Sequence, residues 1–245
     1  MKKSDICKYV VSDLEKLRDS HRIDLLQRFF QTKKGQYGEG DIFLGLYVPQ
    51  VRKVFGEHKK EINIDTAFLL LTNKIHEVRL LALMSLVSIY KDKQTSKEEK
   101  EIIIDKYIKN IAKYVNNWDL VDSSCHYMLG DYCIQNNKEK ILFDLAKSEN
   151  LWERRVAIVS TFKYIYMGQD DIVYKISEML KNDEHHLIHK AVGWMLREAG
   201  KRVSRGRLIE YLKANQNTLS SVTRSYAMER LNFVEKERIR DLRSA

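Results

Sequence analysis

Apolar residues recur at intervals of three and four along almost the whole chain, the spacing that gathers them on one face of an α-helix. No run alternates apolar and polar positions as a half-buried strand would. The pattern therefore predicts an all-α protein. Helices are expected over roughly 4–19, 21–31, 49–60, 63–72, 75–92, 97–115, 118–136, 138–147, 151–168, 170–181, 184–200, 203–215 and 218–231. Several starts carry caps: Asn63 with Asp65, Ser96 before Lys97-Glu98-Glu99, and Asn117 before Trp118. The single proline, Pro49, suits the first turn of a helix, where a missing N–H costs nothing. Five of the ten glycines fall at positions 35, 38, 40, 45 and 56, and outside that stretch helix breakers are scarce.

The helical pattern repeats. Val78-Arg79-Leu80-Leu81-Ala82, Leu120-Val121-Asp122-Ser123-Ser124, Trp152-Glu153-Arg154-Arg155-Val156-Ala157, Ile188-His189-Lys190-Ala191 and Arg224-Ser225-Tyr226-Ala227 align on a small residue. The anchors Ala82, Ser124, Ala157, Ala191 and Ala227 are spaced by 42, 33, 34 and 36 residues. Such intervals belong to helical-hairpin repeats, and the aromatic and small positions of a TPR are absent, so HEAT-like repeats are preferred. The expected architecture is a right-handed α-α superhelix of such repeats, forming one domain over residues 1–245. A small residue at the recurring position lets the inner helix of one hairpin pack closely on the next. Two residues before the anchor, Asp122, Arg155 and His189 occupy one repeat position. Given regular stacking, Trp118, Asp122, Arg155 and Trp194 converge on one concave groove.

Composition narrows the partners. Hydrophobic content is 44%, enough for a substantial core, and no apolar run reaches membrane-spanning length. No signal-peptide h-region follows Met1-Lys2-Lys3-Ser4-Asp5, so the expected location is the cytoplasm, beside the nucleoid in a bacterium. Three cysteines (Cys7, Cys125 and Cys133) without a Cys-x-x-Cys pair argue against a disulfide framework or zinc ribbon; Cys125 and Cys133 read as small core residues. The formal net charge is +9, which suits a phosphate backbone without requiring one.

The chemistry-bearing stretch is Asn116-Asn117-Trp118-Asp119-Leu120-Val121-Asp122. Trp118 and Asp122 are one helical turn apart and share a face. They are either a packing indole with a solvated carboxylate, or a site for a flat cation, which the ring face and the charge would both attract. Asp119 competes for that role but reads better as a helix N-terminal charge favoured by the dipole. Arg154 aligns with Arg79 and Arg224 and looks structural; Arg155 has the alternative of clamping a phosphate. Gly193, beside Trp194, costs about 1 kcal/mol in a helix relative to Ala, so a neighbouring helix or a ligand should approach there. His185 and His189 are one turn apart, yet no His-Glu-x-x-His pattern or nearby cysteine supports a metal, and none is expected. The segment Gly35-Gln36-Tyr37-Gly38-Glu39-Gly40 lacks the Gly-Lys-Ser/Thr of a P-loop, follows no strand, and reads as a tight connection between helices. Neither a nucleophilic triad nor a conventional glycosidase acid pair can be picked out.

Four pieces in order carry a resemblance. They are Tyr37-Gly38-Glu39-Gly40-Asp41 through Phe43-Leu44-Gly45 to Pro49; Trp118-Asp119-Leu120-Val121-Asp122; Leu151-Trp152-Glu153-Arg154-Arg155-Val156-Ala157-Ile158; and Lys190-Ala191-Val192-Gly193-Trp194-Met195-Leu196-Arg197-Glu198. Through them the chain resembles the AlkD-like family of DNA alkylation repair glycosylases, HEAT-like-repeat proteins, from Phe29 to Leu231. The resemblance implies hydrolysis of the N-glycosidic bond of cationic N3- or N7-alkylated purines in double-stranded DNA, by a monofunctional enzyme without cofactor. It implies Trp118 and Trp194 as the groove tryptophans, Asp122 as the essential carboxylate and Arg155 as the arginine beside the backbone. It also implies that the duplex is cradled rather than its base enclosed. A monomer is expected. The alternatives are a non-catalytic HEAT-repeat module that binds damaged or structured nucleic acid, and a solenoid that captures an acidic protein.

Overall fold

The computed structural model describes residues 3–240. Every regular segment among them is helical, apart from one isolated parallel bridge between Ile42 and Ile75. No described helix is long and apolar enough to cross a membrane. The chain divides into two compact units, Met1–Ser124 and Cys125–Ala245.

The first unit contains α1 (Lys3–Glu15), α2 (Ser20–Phe29), α3 (Val48–His58), α4 (Ile64–Leu71), α5 (His76–Lys91), α6 (Lys97–Tyr114) and the single turn α7 (Trp118–Asp122). Helix α5 is apolar nearly all round, and its Leu80, Leu81, Ala82, Leu83 and Leu86 are buried. It is therefore the central helix, with α3, α4, α6 and α7 packed against it. The caps fall where the residues predict. Asn63 Oδ1 accepts from Thr66 N at 2.9 Å. Ser96 and Glu99 form a reciprocal capping box. Pro49 lies in the first turn of α3. Helix α2 is the exception in this unit, because none of its residues is buried.

The second unit opens with a π-helical turn (His126–Gly130), followed by α8 (Asp131–Asn136), α9 (Glu139–Ala146), α10 (Leu151–Ser160), α11 (Phe162–Tyr166), α12 (Asp171–Leu180), α13 (His186–Arg202), α14 (Arg205–Ala214), α15 (Ser221–Ala227) and α16 (Phe233–Arg240). Helix α13 is its hub, packed on α10, α12, α14 and α15.

Three expectations about helices need correction. The helix over 118–136 is α7, a break, the π turn and α8. Ser124 bonds back to the Leu120 carbonyl at 2.6 Å and meets the Tyr107 hydroxyl at 3.0 Å, which ends the regular ladder. Further on, Gly130 sits so close to the Ser160 carbonyl that a Cβ would collide with it. The helix over 151–168 is divided at Thr161, whose N–H and hydroxyl both turn to the Ile158 carbonyl, at 3.1 and 2.6 Å. Helix α16 lies beyond the last expected helix.

The repeat register holds: Ala82, Ser124, Ala157, Ala191 and Ala227 are all 0% exposed. The arginines three residues before Ala82, Ala157 and Ala227 tie down loops. Arg79 donates to Asn116 Oδ1 at 2.8 Å, in the loop before α7. Arg154 donates to Asp183 Oδ2 at 2.6 Å, in the loop before α13, and to the Ser148 and Glu149 carbonyls at 3.0 and 2.8 Å. Arg224 donates to the Gln216 carbonyl before α15. Cys125 and Cys133 are fully buried, as their apolar setting suggests.

A neighbouring helix explains Gly193. A Cβ there would lie 2.6 Å from Tyr226 Cβ and 2.7 Å from the Thr223 carbonyl oxygen, both on α15. Gly193→Ala should therefore lower unfolding stability by about 1–3 kcal/mol through overpacking. Gly206→Ala, on α14 with open space around it, should leave stability unchanged or raise it by up to about 1 kcal/mol. Urea unfolding of the two variants beside the parent checks both.

Candidate functional site

The site in the first unit is built outward from Asp41, at the end of the glycine-rich segment. The residue is 6% exposed. It accepts from Arg79 Nη2 at 2.6 Å, from Asn117 Nδ2 at 3.0 Å, and pairs with His76 Nδ1 at 3.0 Å. The opposite nitrogen of that imidazole, Nε2, pairs with Asp119 Oδ2 at 2.8 Å. Two cations and two carboxylates thus alternate, and Asn116, Asn117 and Asp119 are all tied to them. Burial alone would raise the Asp41 pKa, but the His76 hydrogen bond and the charges of Arg79 and His76 bring it below the usual carboxylate range. Burial alone would likewise lower His76, but the Asp119 charge and the hydrogen bonds to Asp119 and Asp41 outweigh it and hold the pKa up at about 9. His76 is therefore an imidazolium at neutral pH and donates from both ring nitrogens. Asp119 stands in the first turn of α7, as expected of a helix N-terminal charge, and also completes this network; its Oδ1 accepts from Leu120 N at 2.9 Å.

The network fixes α7. Asn117 is extended at φ −151° and its Oδ1 accepts from Trp118 N at 2.9 Å. Trp118 is half-buried and stacks on Phe30, with centroids 5.3 Å apart and planes 12° from parallel. Phe29 meets it edge-on at 5.8 Å. The stack continues through Phe43, 5.0 Å from Phe30, to the His76 ring, 4.6 Å from Phe43. Phe29 and Tyr47 remain more than half exposed and, with Phe30, Val48 and Trp118, border an apolar cavity of about 360 Å³. Asp122 stands one turn beyond Trp118 on the same helix, half-buried.

The glycine-rich segment forms one wall of this site. Backbone bonds from His76 N to the Ile42 carbonyl at 2.8 Å, and around the Ile42–Ile75 bridge, lay it along the start of α5. Leu44, Gly45 and Leu46 direct three successive N–H groups at the Glu77 carboxylate, at 2.9 to 3.1 Å. This is a backbone nest of the kind that binds anions. A carboxylate of the chain itself fills it. Gly45 has φ +87° and its Cβ position is occupied by the Asp19 carbonyl, so glycine is required there.

Arg155 and Trp194 belong to the second unit. Arg155, on α10, is buried, and its Nη1 donates to the Leu187 carbonyl at 2.6 Å, which joins α10 to the first turn of α13. Trp194 is half-buried on α13, with Phe162 tilted against it at 5.9 Å. His185 caps α13, its Nδ1 accepting from Leu187 N at 3.1 Å, and His189 Nε2 donates to the Asp183 carbonyl. Among the described residues no group of three or more His, Cys, Asp or Glu side chains gathers as a metal site requires.

Sequence reasoning does not reach His76, Glu77 or Phe30, and it reaches Asp41 and Phe43 only as members of a motif. The available signal is a His-Glu pair opening a helix that is apolar nearly all round, where a buried role best accounts for two ionisable groups.

The model of the DNA alkylation repair enzyme family matches residues 10–231. The chain belongs to that family. Membership assigns the chain a role in DNA alkylation repair. No protein of curated function matches it. Its fold is similar to that of a solved structure described as a predicted DNA alkylation repair enzyme from Enterococcus faecalis, with TM-score 0.70 and 18% identity over 88% of this chain and 97% of the other.

Stability should follow the Asp41 network. Asp41→Asn strands two buried cations and should cost about 3–5 kcal/mol in urea unfolding at pH 7. Because folding raises the His76 pKa, its contribution is complete below about pH 6.5 and disappears as pH rises through about 9. Because folding lowers the Asp41 pKa, its contribution disappears on acidification below the ordinary carboxylate range. The stability gap between the parent and His76→Gln should therefore be wide at pH 7 and narrow at pH 10. A constant gap would contradict the imidazolium assignment.

Proposed function

We propose that the protein is a monofunctional DNA glycosylase that hydrolyses the N-glycosidic bond of cationic N3- or N7-alkylated purines in duplex DNA. The observation that carries this reading is Trp118 with Asp122, an indole and a carboxylate one turn apart on a helix that a buried charge network immobilises, in a chain of the alkylation repair family.

The chemistry suits a sparse site. Alkylation leaves the purine positively charged, so as the bond from C1′ to the base nitrogen breaks, both bonding electrons leave with the base, which departs neutral and needs no general acid. Positive charge then develops on the sugar. On this reading the Asp122 carboxylate stabilises that oxocarbenium character and orients a water, whose oxygen bonds to C1′ while its proton passes to the carboxylate. The face of Trp118 attracts the cationic nucleotide, and Trp194 supplies a second ring face. Arg155, pinned by the Leu187 carbonyl, contributes charge toward the backbone near the lesion. The excess of Lys and Arg, a net charge of +9, serves the flanking phosphates. No lysine is assigned as nucleophile, so the strand remains uncut. Such a protein would act as a monomer.

Release of 7-methylguanine and 3-methyladenine from methylated duplex DNA tests the proposal. The parent should release both. Asp122→Asn should lose about 10²–10³-fold in single-turnover rate, with DNA affinity changed only a few-fold. DNA binding by the parent without release of either base would overturn the enzyme reading and leave a damage-binding module.

A further inference from the structure

We propose that His76 and Asp41 are positioning residues for Trp118 and Asp122, holding α7 in the orientation that meets damaged DNA; the proposal rests on the glycosylase reading above. Helix α7 is five residues long, too short to keep its direction through its own hydrogen bonds. Its direction is set from outside. The two residues before Trp118 and the one after it are each tethered: Asn116 to Arg79, Asn117 to Asp41, and Asp119 to His76. The indole plane is set a second way, through the Phe30 and Phe43 rings stacked between it and the His76 ring. The imidazole therefore reaches Trp118 both through Asp119 and through the aromatic stack.

The arrangement requires a proton. Asp41 from the glycine-rich segment and Asp119 from α7 face opposite nitrogens of one ring, while Arg79 and Glu77 flank it from α5 and Phe30 and Phe43 cover it. An imidazolium donates to both carboxylates. A neutral imidazole donates to one and turns a lone pair toward the other. Loss of the proton would thus release either α7 or the wall that supports Phe43, and in both cases Trp118 loses part of its bracket. The high pKa of His76 keeps that event away from neutral pH.

Two measurements test this. Replacing Trp152 and Trp194 by Phe leaves Trp118 as the sole indole of the three. Its emission, followed from pH 6 to 10.5, should change with one proton near pH 9. The change should move down by a unit or more in Asp119→Asn and vanish in His76→Gln. In the full chain, the rate of 7-methylguanine release and the affinity for methylated duplex should fall through the same midpoint, and Asp119→Asn should shift both equally. A purely structural His76 would change stability without this matched shift. Flat Trp118 emission overturns the proposal, and so does emission that titrates while release and affinity do not follow. If His76→Gln fails to fold, the titration of the unaltered network still decides. A parent that releases no base at any pH defeats the glycosylase reading alone; emission and DNA affinity then still test the bracket, and a common midpoint sustains it.

Discussion

One buried carboxylate organises the first unit. Asp41 lies in an irregular segment that no ladder of backbone hydrogen bonds could hold, and it is the point where that segment, α5 and the loop before α7 meet. Removing a carboxylate from water costs several kcal/mol unless its partners compensate. Here Arg79, His76 and Asn117 do so together. Because two of these partners stand on α5 and the third in the loop before α7, satisfying Asp41 requires both elements to be in place. The charge network works as a geometric specification more than as a source of stability.

The same logic recurs along the chain in simpler form. Arg79, Arg154 and Arg224 occupy one repeat position; the first two reach the loop that precedes a later helix, and Arg224 reaches the loop before its own helix. Small buried residues three positions on allow close helix contact, and the arginines hold the connections that such contact brings near. The first unit differs from the second in adding His76 and Asp41 to this device. The arginine network there extends under an aromatic stack and fixes an indole.

That rigidity matters because the proposed chemistry asks little of the protein beyond placement. A cationic base departs without acid assistance, so selectivity depends on a ring face and a carboxylate standing where charge resides and where it develops. Both groups lie on a single helical turn. A loosely held turn would dissipate their effect, whereas one anchored at the two positions before Trp118 and the one after it retains it.

The sequence alone determined the helical class, the repeat anchors and the shared face of Trp118 and Asp122. These depend on local spacing, which the 3.6-residue period converts directly into a face. It also placed Gly193 under a close approach, because glycine inside a helix has few other reasons to persist. The tertiary structure decided the break after α7, which arises from Ser124 turning back on its own helix, and the interruption at Thr161. It decided that Asp119, in the first turn of α7, also serves a buried histidine, and that the nest at 44–46 is filled by Glu77. It alone brought Asp41, His76 and Trp118 together. Those contacts span 35 to 76 residues of chain, and no local pattern encodes which buried charge will neutralise which. Only packing sets that distance, and with it the dielectric that makes the pairing obligatory.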